Sequence, residues 1–258
     1  MRQLPLLFCL AFISQSALAQ FQPPQLTPVQ QKIQQLMQSD IRTAEEKTRD
    51  RERNPIGTLG FFGIQENMKV LELMPGGGWY TKILGPLLRD KGELYITDPD
   101  YYIARTEPAL KLPGMDKVKK LDWGKWEGQL DPNVRSFPPP GKWDVENLDM
   151  ILTFRNYHNF SVAARAVLNK NCYDALKPGG VYAMLDHTRR HMEPTNTENG
   201  RRVDPVALIK EVQDAGFVFV DYSPIHFKPD DELRYEVGRA SVTGNTDRFT
   251  MIFRKPEK

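Results

Sequence analysis

A glycine turn between a predicted strand and a predicted helix is the segment of this sequence best suited to ligand binding. The apolar strand ends with an acid, Glu72, and the turn that follows contains Gly76, Gly77 and Gly78. Glycines let the backbone approach a ligand closely, and the unpaired N–H groups at the start of the next helix suit an anionic group. The turn therefore predicts a site for a nucleotide or for a ligand that carries a carboxylate.

Other nucleotide-binding turns can be compared with this one residue by residue. A phosphate-binding P-loop requires Gly-Lys-Ser or Gly-Lys-Thr, and neither follows Gly78. A dehydrogenase fingerprint requires G-x-G-x-x-G, but its last glycine is replaced here by Thr81. What remains is an acid-then-glycine turn, for which a purely structural role stays open.

Two aspartates follow the next two predicted strands. Asp98 comes 26 residues after Glu72, about the distance at which an acid meets a ribose diol in doubly wound folds. The alternative is that Asp98 only begins the turn Asp98-Pro99-Asp100. Asp122, after the third strand, could accept a hydrogen bond from an adenine amino group, although it also fits an ordinary loop.

Polar side chains after the fourth strand are candidates for the substrate side. Histidine exchanges protons near neutral pH, so His158 could remove a proton from an acceptor oxygen or nitrogen. Arg155 could pair with an acidic substrate group, and Asn156 lies beside it. The competing interpretation is that these polar residues tie loops together.

A second candidate pair, Asp186 and His187, follows the fifth strand. A carboxylate that orients a histidine serves either the structure or general-base catalysis. With His191 the pair imitates a metal site, but Arg189 and Arg190 place two cations among the ligands. The sequence therefore predicts no metal.

Alternating strands and helices must position these residues. From Met68 onward, short β-rich apolar runs alternate with helical stretches, which is typical of a parallel sheet with crossover helices. The predicted strands are Met68–Leu73, Glu93–Thr97, Lys117–Leu121, Asp149–Phe154, Val181–Leu185, Phe217–Tyr222 and Arg248–Arg254. The predicted helices of this region are Trp79–Arg89, Ala163–Leu176 and Pro205–Ala215. The order predicts an α/β, Rossmann-like, doubly wound fold: a mostly parallel seven-stranded sheet with an antiparallel last strand.

The segment before the sheet predicts an N-terminal helical extension, residues 20–56, preceding the main domain, residues 57–258. Val29 to Arg53 contains no proline or glycine and many good helix formers, so one continuous helix is expected, ended by Asn54-Pro55. Its charged residues, including Arg42 and Arg53, predict a solvated face. Cys172 falls at a helical spacing of apolar residues and is expected in the core.

Taken together, these motifs resemble class I S-adenosylmethionine-dependent methyltransferases over residues 57–256. The resemblance is carried by the acid and glycine turn, Asp98, the fourth strand, Leu176-Lys177-Pro178-Gly179-Gly180 and Ala215-Gly216-Phe217. It implies S-adenosylmethionine as cofactor, bound by Glu72, Gly76, Gly77, Gly78, Asp98 and Asp122. It also implies methyl transfer to a small or envelope-associated acceptor. A narrower group, exported bacterial methyltransferase-like proteins, is similar at Phe61–Ile64, Pro75–Thr81, Phe154–Asn159 and Thr246–Phe249.

The turn departs from the superfamily pattern at one point. A glycine usually stands two residues after the acid, where this chain has Met74 followed by Pro75. Proline has no N–H to donate, and methionine resists positive φ. The turn is therefore expected to hold S-adenosylmethionine in an altered pose or to hold another ligand, and a non-catalytic ligand-binding protein on the same fold is the alternative function.

The composition indicates a globular protein whose first residues form an export signal. Of the 258 residues, 40% are hydrophobic and 26% are charged. Residues 1–19 contain Arg2, a short apolar run and Ala17-Leu18-Ala19, which is the order of a cleaved secretory signal; a periplasmic or secreted location follows. The run is too short to span a membrane. The formal net charge of +2 gives no argument for nucleic acid, and the expected partner is a small-molecule substrate.

Overall fold

A sheet of seven strands forms the centre of the computed structural model, which describes residues 25–129 and 136–257. The predicted signal, residues 1–19, lies outside the described residues. The strands are β1 (Lys69–Leu73), β2 (Glu93–Thr97), β3 (Lys119–Lys120), β4 (Leu148–Phe154), β5 (Leu176–His187), β6 (Val218–Tyr222) and β7 (Arg248–Arg254). Their order is β3-β2-β1-β4-β5-β7-β6. The pairs from β3 to β5 are parallel, and β7 is antiparallel to both neighbours. This confirms the predicted fold class.

Helices cover the sheet and precede it. They are α1 (Pro28–Met37), α2 (Ala44–Thr48), α3 (Asp50–Arg53), α4 (Pro55–Phe62), α5 (Thr81–Leu88), α6 (Asp100–Ile103), α7 (Glu107–Leu110), α8 (Val162–Ala175) and α9 (Pro205–Asp214). Neighbouring strand residues point to opposite faces, so Val70 joins a core with α1, α4 and α5, while Leu71 joins a core with α8 and α9. Cys172 is fully buried in the second core, as predicted.

The strand order reverses between β1 and β4, and that reversal fixes the position of the site. From β1 the chain proceeds outward to β2 and β3, and then returns to the other side of β1 as β4. In open α/β sheets a crevice forms at such a switch point, outside the carboxyl ends of the strands. The turns after Leu73 and Phe154 therefore meet at one edge of the sheet.

Most predicted strand bounds agree with the structure, and the differences have local causes. The third strand is shorter than predicted, because β3 is an exposed edge strand in which only Lys119 and Lys120 pair with β2. The fifth strand is longer, because Leu176 already pairs with Leu148 across a register irregularity.

The prediction of one continuous helix over residues 29–53 is wrong. The segment forms α1, α2 and α3, because Thr43 caps α2: its side chain accepts from the N–H of Glu46, whose side chain binds back to Thr43. This capping box starts a new helix where composition alone favours continuation. Asn54-Pro55 does not end the helical region either, since Asn54 caps α4 and Pro55 occupies its first turn.

The predicted solvated face of this segment is also wrong for two of its arginines. Arg42 is 3% exposed and makes a bidentate ion pair with Asp50. Arg53 is 7% exposed, and its guanidinium lies 4.5 Å from the centre of the Trp79 ring. The charged residues of α2 and α3 therefore face the domain as well as the solvent.

Two non-glycine residues adopt left-handed backbone conformations where β1 and β4 leave the sheet. Met74 has φ 52° and Arg155 has φ 61°. The side-chain amide of Asn156 donates to the carbonyls of Met74 (3.0 Å), Phe154 (3.2 Å) and Leu73 (3.4 Å). The Met74 side chain packs in the core at 8% exposure. These contacts hold the methionine in the conformation that the sequence pattern reserves for glycine.

Substitutions at Met74 should reveal the cost of its backbone conformation. We expect M74G to be more stable than M74A by about 1 kcal/mol, because alanine retains the left-handed strain that glycine lacks. Urea unfolding measures the difference. At Met150, in the extended strand β4, the order should reverse, since glycine in a strand is less stable than alanine. If M74A were as stable as M74G or more stable, the backbone of residue 74 would not be strained.

Candidate functional site

A cleft of about 500 Å³ opens at the carboxyl ends of β1, β2 and β4. Its volume lies in the range of about 300–1,000 Å³ found for small-molecule pockets. The lining residues that bear on its chemistry are Glu46, Arg49, Arg53, Glu72, Met74, Pro75, Gly76, Gly77, Trp79, Tyr80, Asp98, Arg155, Asn156, His158 and His187. The structure thus brings together most of the residues that the sequence singled out separately.

Glu72 and Asp98 both face this cleft, from the ends of β1 and β2. Glu72 is 2% exposed, and its Oε2 accepts a hydrogen bond from the hydroxyl of Thr81 at 2.7 Å. Burial raises the pKa of Glu72 to about 8, and the neighbouring charge of Asp98 acts in the same direction. An acid with this pKa is poised to exchange a proton when a charged ligand arrives.

Asp98 has an unmet capacity to accept a hydrogen bond. It is 3% exposed, and its Oδ1 has no hydrogen-bond partner in the described part of the chain. Burial raises its pKa to about 7, although a hydrogen bond from the Gly76 backbone and the charge of Arg105 oppose the rise. Because Asp98 also lines the cleft, a ligand bound there could donate a hydrogen bond to this oxygen.

The three glycines of the turn have different roles. A side chain at Gly76 or Gly77 would meet no protein atom within 4 Å, so both leave open space beside the cleft. A Cβ at Gly78 would lie 2.9 Å from the Cβ of Ala109, and Gly78 is absent from the lining. Gly76 and Gly77 therefore leave room for a ligand, whereas Gly78 lets the turn pack against α7.

His158 and Asp186, predicted as separate candidates, form one hydrogen-bonded pair. Nδ1 of His158 lies 2.7 Å from Oδ1 of Asp186, whose Oδ2 accepts from the His158 backbone N–H at 3.1 Å. Burial alone raises the pKa of Asp186, but the charge and hydrogen bond of His158 outweigh it and hold the pKa below its usual value. Nε2, the other ring nitrogen of His158, has no hydrogen-bond partner among residues 25–129 and 136–257.

His187 has a different environment from His158, although their ring centres are 6.0 Å apart. Its Nδ1 lies 2.9 Å from the hydroxyl of Thr246, and its backbone N–H donates to Asp186. Burial holds its pKa well below the usual value; Asp186 opposes this effect, and Arg248 reinforces it. His187 is therefore a neutral wall of the cleft at physiological pH.

Of the remaining predicted site residues, Arg155 and Asn156 border the cleft and Asp122 does not. Arg155 lines the cleft, where burial, reinforced by the charge of Arg248, lowers its pKa to about 10. Asn156 also borders the cleft, but its amide N–H groups bind the backbone carbonyls of the strand ends. Asp122 is not brought into the cleft; it is exposed, and its carboxylate accepts from the N–H of Gly124 at 2.9 Å.

The N-terminal helices form one side of the cleft, which the sequence did not predict. Trp79, directly after the glycine turn, donates from its indole N–H to the Glu46 carbonyl at 3.0 Å. The Glu46 carboxylate pairs with Lys82 at 2.7 Å, and the Tyr80 hydroxyl binds the Arg53 carbonyl at 3.2 Å. The available signal was the pair Trp79-Tyr80 beside the glycines, since aromatic rings recruit arginine side chains.

In residues 25–129 and 136–257, no three histidine, cysteine, aspartate or glutamate side chains are grouped so as to hold a metal ion. His191, the third member of the metal-like pattern, instead lies 2.9 Å from Asp204 through its Nδ1. No helix in this part of the chain is long and apolar enough to cross a membrane.

Comparison with known proteins identifies the fold. No family model matches the chain, and no curated protein matches it in sequence. Among solved structures, a SAM-dependent methyltransferase from Aquifex aeolicus matches with TM-score 0.54 and 17% identity, over 87% of this chain and 97% of that chain. A protein from Galdieria sulphuraria assigned as a sarcosine dimethylglycine methyltransferase gives 0.54 and 17%, over 87% and 90%. The [4+2]-cyclase SpnF gives 0.51 and 14%, over 86% of each chain. The chain therefore has the Rossmann-like fold of class I methyltransferases.

The raised pKa values of the two cleft acids should make the ligand-free protein less stable as the pH rises from about 6.5 to about 8. Glu72 and Asp98 keep protons in the folded state that they lose when unfolded, so stability falls with pH through their folded pKa values of about 8 and 7. His187 and His226 have lowered folded pKa values, so they oppose this fall only in the lower part of the window, up to about one unit above the unfolded histidine pKa of about 6.5.

Thermal unfolding across this pH window tests the assignment. We expect a fall in Tm of roughly 5 °C for the wild type and a flatter profile for E72Q. Glu66→Gln is a matched control, because hydrogen bonding to Lys32 lowers the pKa of that partly buried acid. An equally steep profile for E72Q would show that Glu72 is already ionised in the folded protein.

Proposed function

We propose that the protein is an S-adenosylmethionine-dependent methyltransferase acting on a small acceptor. The observation that carries this proposal is the buried Oδ1 of Asp98, which has no hydrogen-bond partner among the described residues. It lies in a cleft that Asp98 shares with Glu72 and with the open backbone of Gly76 and Gly77. The fold, similar to that of the Aquifex aeolicus methyltransferase, supports it. Fold alone does not define a function, so the proposal depends on how well the site fits the cofactor.

The residues present match the functional groups of S-adenosylmethionine. The ribose hydroxyls of the cofactor are donors, and Asp98 has a free acceptor oxygen inside the cleft. The amino-acid end of the cofactor carries an ammonium and a carboxylate group, and the cleft places the acid Glu72 near the cation Arg53, whose charge acts on it. The space beside Gly76 and Gly77 would admit the chain that joins the two ends.

The bound cofactor supplies an electrophilic methyl group on a sulfonium centre. Asp98 would hold the ribose, and Glu72 with Arg53 would orient the amino-acid end, so that the methyl group is aligned for direct displacement. Nε2 of His158 has no protein partner in the described residues and faces the cleft, so it can take the proton that the acceptor oxygen or nitrogen loses. Asp186 then stabilises the imidazolium, as a buried carboxylate does in catalytic triads.

The alternative function from the sequence is a non-catalytic ligand-binding protein on this fold. Such a protein would need Asp98 and the glycine turn but not an oriented histidine. The hydrogen bond between His158 and Asp186 inside the cleft therefore favours an enzyme. The neighbour SpnF is a [4+2]-cyclase, so the same fold also hosts other chemistry.

We also propose that the protein acts outside the cytoplasm, in the periplasm or after secretion. Support comes from the order of charged, apolar and small residues in residues 1–19. A mature N-terminus at Gln20, read by mass measurement of the protein from a fractionated cell, is the expected result. A full-length N-terminus in the cytoplasmic fraction would contradict export.

Replacing Asp98 should weaken cofactor binding without unfolding the protein. We expect D98N to weaken binding of S-adenosylhomocysteine by about 10–100-fold, because the amide presents only one acceptor and no charge to the hydroxyls. Titration calorimetry measures the affinity. Asp90→Asn is the matched control, since this exposed acid lies before β2, at the opposite end of the strand. The same titration on D122N tests the predicted adenine contact. If the wild type fails to bind S-adenosylhomocysteine, the proposed function is wrong.

Replacing His158 should impair the chemistry and spare the cofactor. In H158N the amide N–H can still donate to Asp186, but the base is gone, so we expect methyl transfer to slow by about 100–10,000-fold. The measurement is transfer of a labelled methyl group from S-adenosylmethionine to small molecules of a cell-envelope extract.

His191→Asn is the control for this experiment, because His191 is half exposed and paired with Asp204. Affinity for S-adenosylhomocysteine should stay within about threefold in both variants, since neither side chain is expected to touch the cofactor. Undiminished transfer by H158N would remove the histidine from the mechanism.

A further inference from the structure

The cation Arg155 differs in its hydrogen bonding from two other arginines of this protein, Arg202 and Arg42. Arg202 is fully buried and makes a bidentate ion pair with Asp231, at 2.8 and 3.1 Å. Arg42 is paired in the same way with Asp50. The guanidinium of Arg155 lines the cleft and makes no hydrogen bond or ion pair with any residue in the described ranges.

The positive charges around Arg155 further destabilise its unpaired guanidinium. The strongest charge acting on it is that of Arg248, which is 4% exposed, and Arg49 adds further repulsion. The acid of this group, Glu52, is bound to Arg49 at 3.3 Å. A poorly solvated guanidinium close to other positive charges is destabilised unless an anion pairs with it. An incoming anion would be attracted by the whole group.

Backbone hydrogen bonds fix the position of Arg155 at the edge of the cleft. Its left-handed φ of 61° is held by the Asn156 amide on one side and by its own N–H bond to the Leu185 carbonyl at 2.7 Å on the other. His158 follows three residues later and lines the same cleft. A molecule held at Arg155 is therefore within the cleft that contains the histidine base.

We propose that the methyl acceptor carries a carboxylate or phosphate group that forms an ion pair with Arg155, and presents a hydroxyl or amine to His158. The inference rests on the proposed function and adds the chemical class of the acceptor. Guanidinium binds both groups through two parallel hydrogen bonds, which orients the molecule as well as binding it. Arg53, stacked on Trp79 near Glu72, remains for the cofactor.

Titration calorimetry on protein saturated with S-adenosylhomocysteine tests the anion site. The probes are acetate and inorganic phosphate at constant ionic strength, which distinguish carboxylate from phosphate as the preferred group. We expect saturable binding of at least one anion with Kd of about 1 mM, weakened at least about tenfold in R155N. Asparagine tolerates the left-handed backbone of this position. R155K should be intermediate, since it keeps the charge but loses the bidentate geometry.

Arg254→Asn is the matched control, because this exposed residue at the far end of β7 carries the same charge. It should bind the anions like the wild type, and all variants should bind S-adenosylhomocysteine equally. Anion binding that survives in R155N, or no saturation of the wild type by either anion below about 50 mM, would overturn the inference. Failure of S-adenosylhomocysteine to bind would refute the methyltransferase; titration of the ligand-free protein would then judge Arg155 alone.

Discussion

The amide of Asn156 links the ends of the two central strands, and the shape of the cleft depends on that link. By binding the carbonyls of Met74 and Phe154, it fixes the turn after β1 against the turn after β4. The two left-handed residues, Met74 and Arg155, are thereby held in place. The glycine turn, Arg155 and the loop of His158 all extend from this junction, so one partly buried hydrogen-bond network positions both sides of the cleft.

Electrostatic imbalance is the second property that defines the site. Glu72 and Asp98 are acids whose burial raises their pKa values, and Arg53 and Arg155 are cations whose burial lowers theirs. Each group is therefore held in an environment that disfavours its charge, and such groups concentrate at functional sites. A ligand with complementary donors and charges would relieve several of these penalties at once. The His158–Asp186 pair is already satisfied within the protein and differs from them in this respect.

The N-terminal helices form part of the site. The Trp79 indole binds the Glu46 carbonyl and stacks with Arg53, while Arg248 on β7 donates to the Glu52 carbonyl. These contacts join α2 and α3 to the glycine turn on one side and to the last strand on the other. Residues of the charge-rich segment, Glu46, Arg49 and Arg53, consequently line the cleft together with residues of the main domain.

The sequence by itself determined the elements and the chemistry at their ends. Alternation of β-rich and helical runs predicted the seven strands and the antiparallel last one, and the acid and glycines located the cleft, because these signals are local in the chain. Tertiary structure decided which residues meet. The carboxylate of Asp186 binds the ring of His158 and not that of the adjacent His187. The side chain of Asn156 binds backbone carbonyls, and Asp122 lies outside the cleft. Strand order and register set these distances. The burial of Arg53 and the break of the first helix depend likewise on packing and capping that charge patterning does not encode.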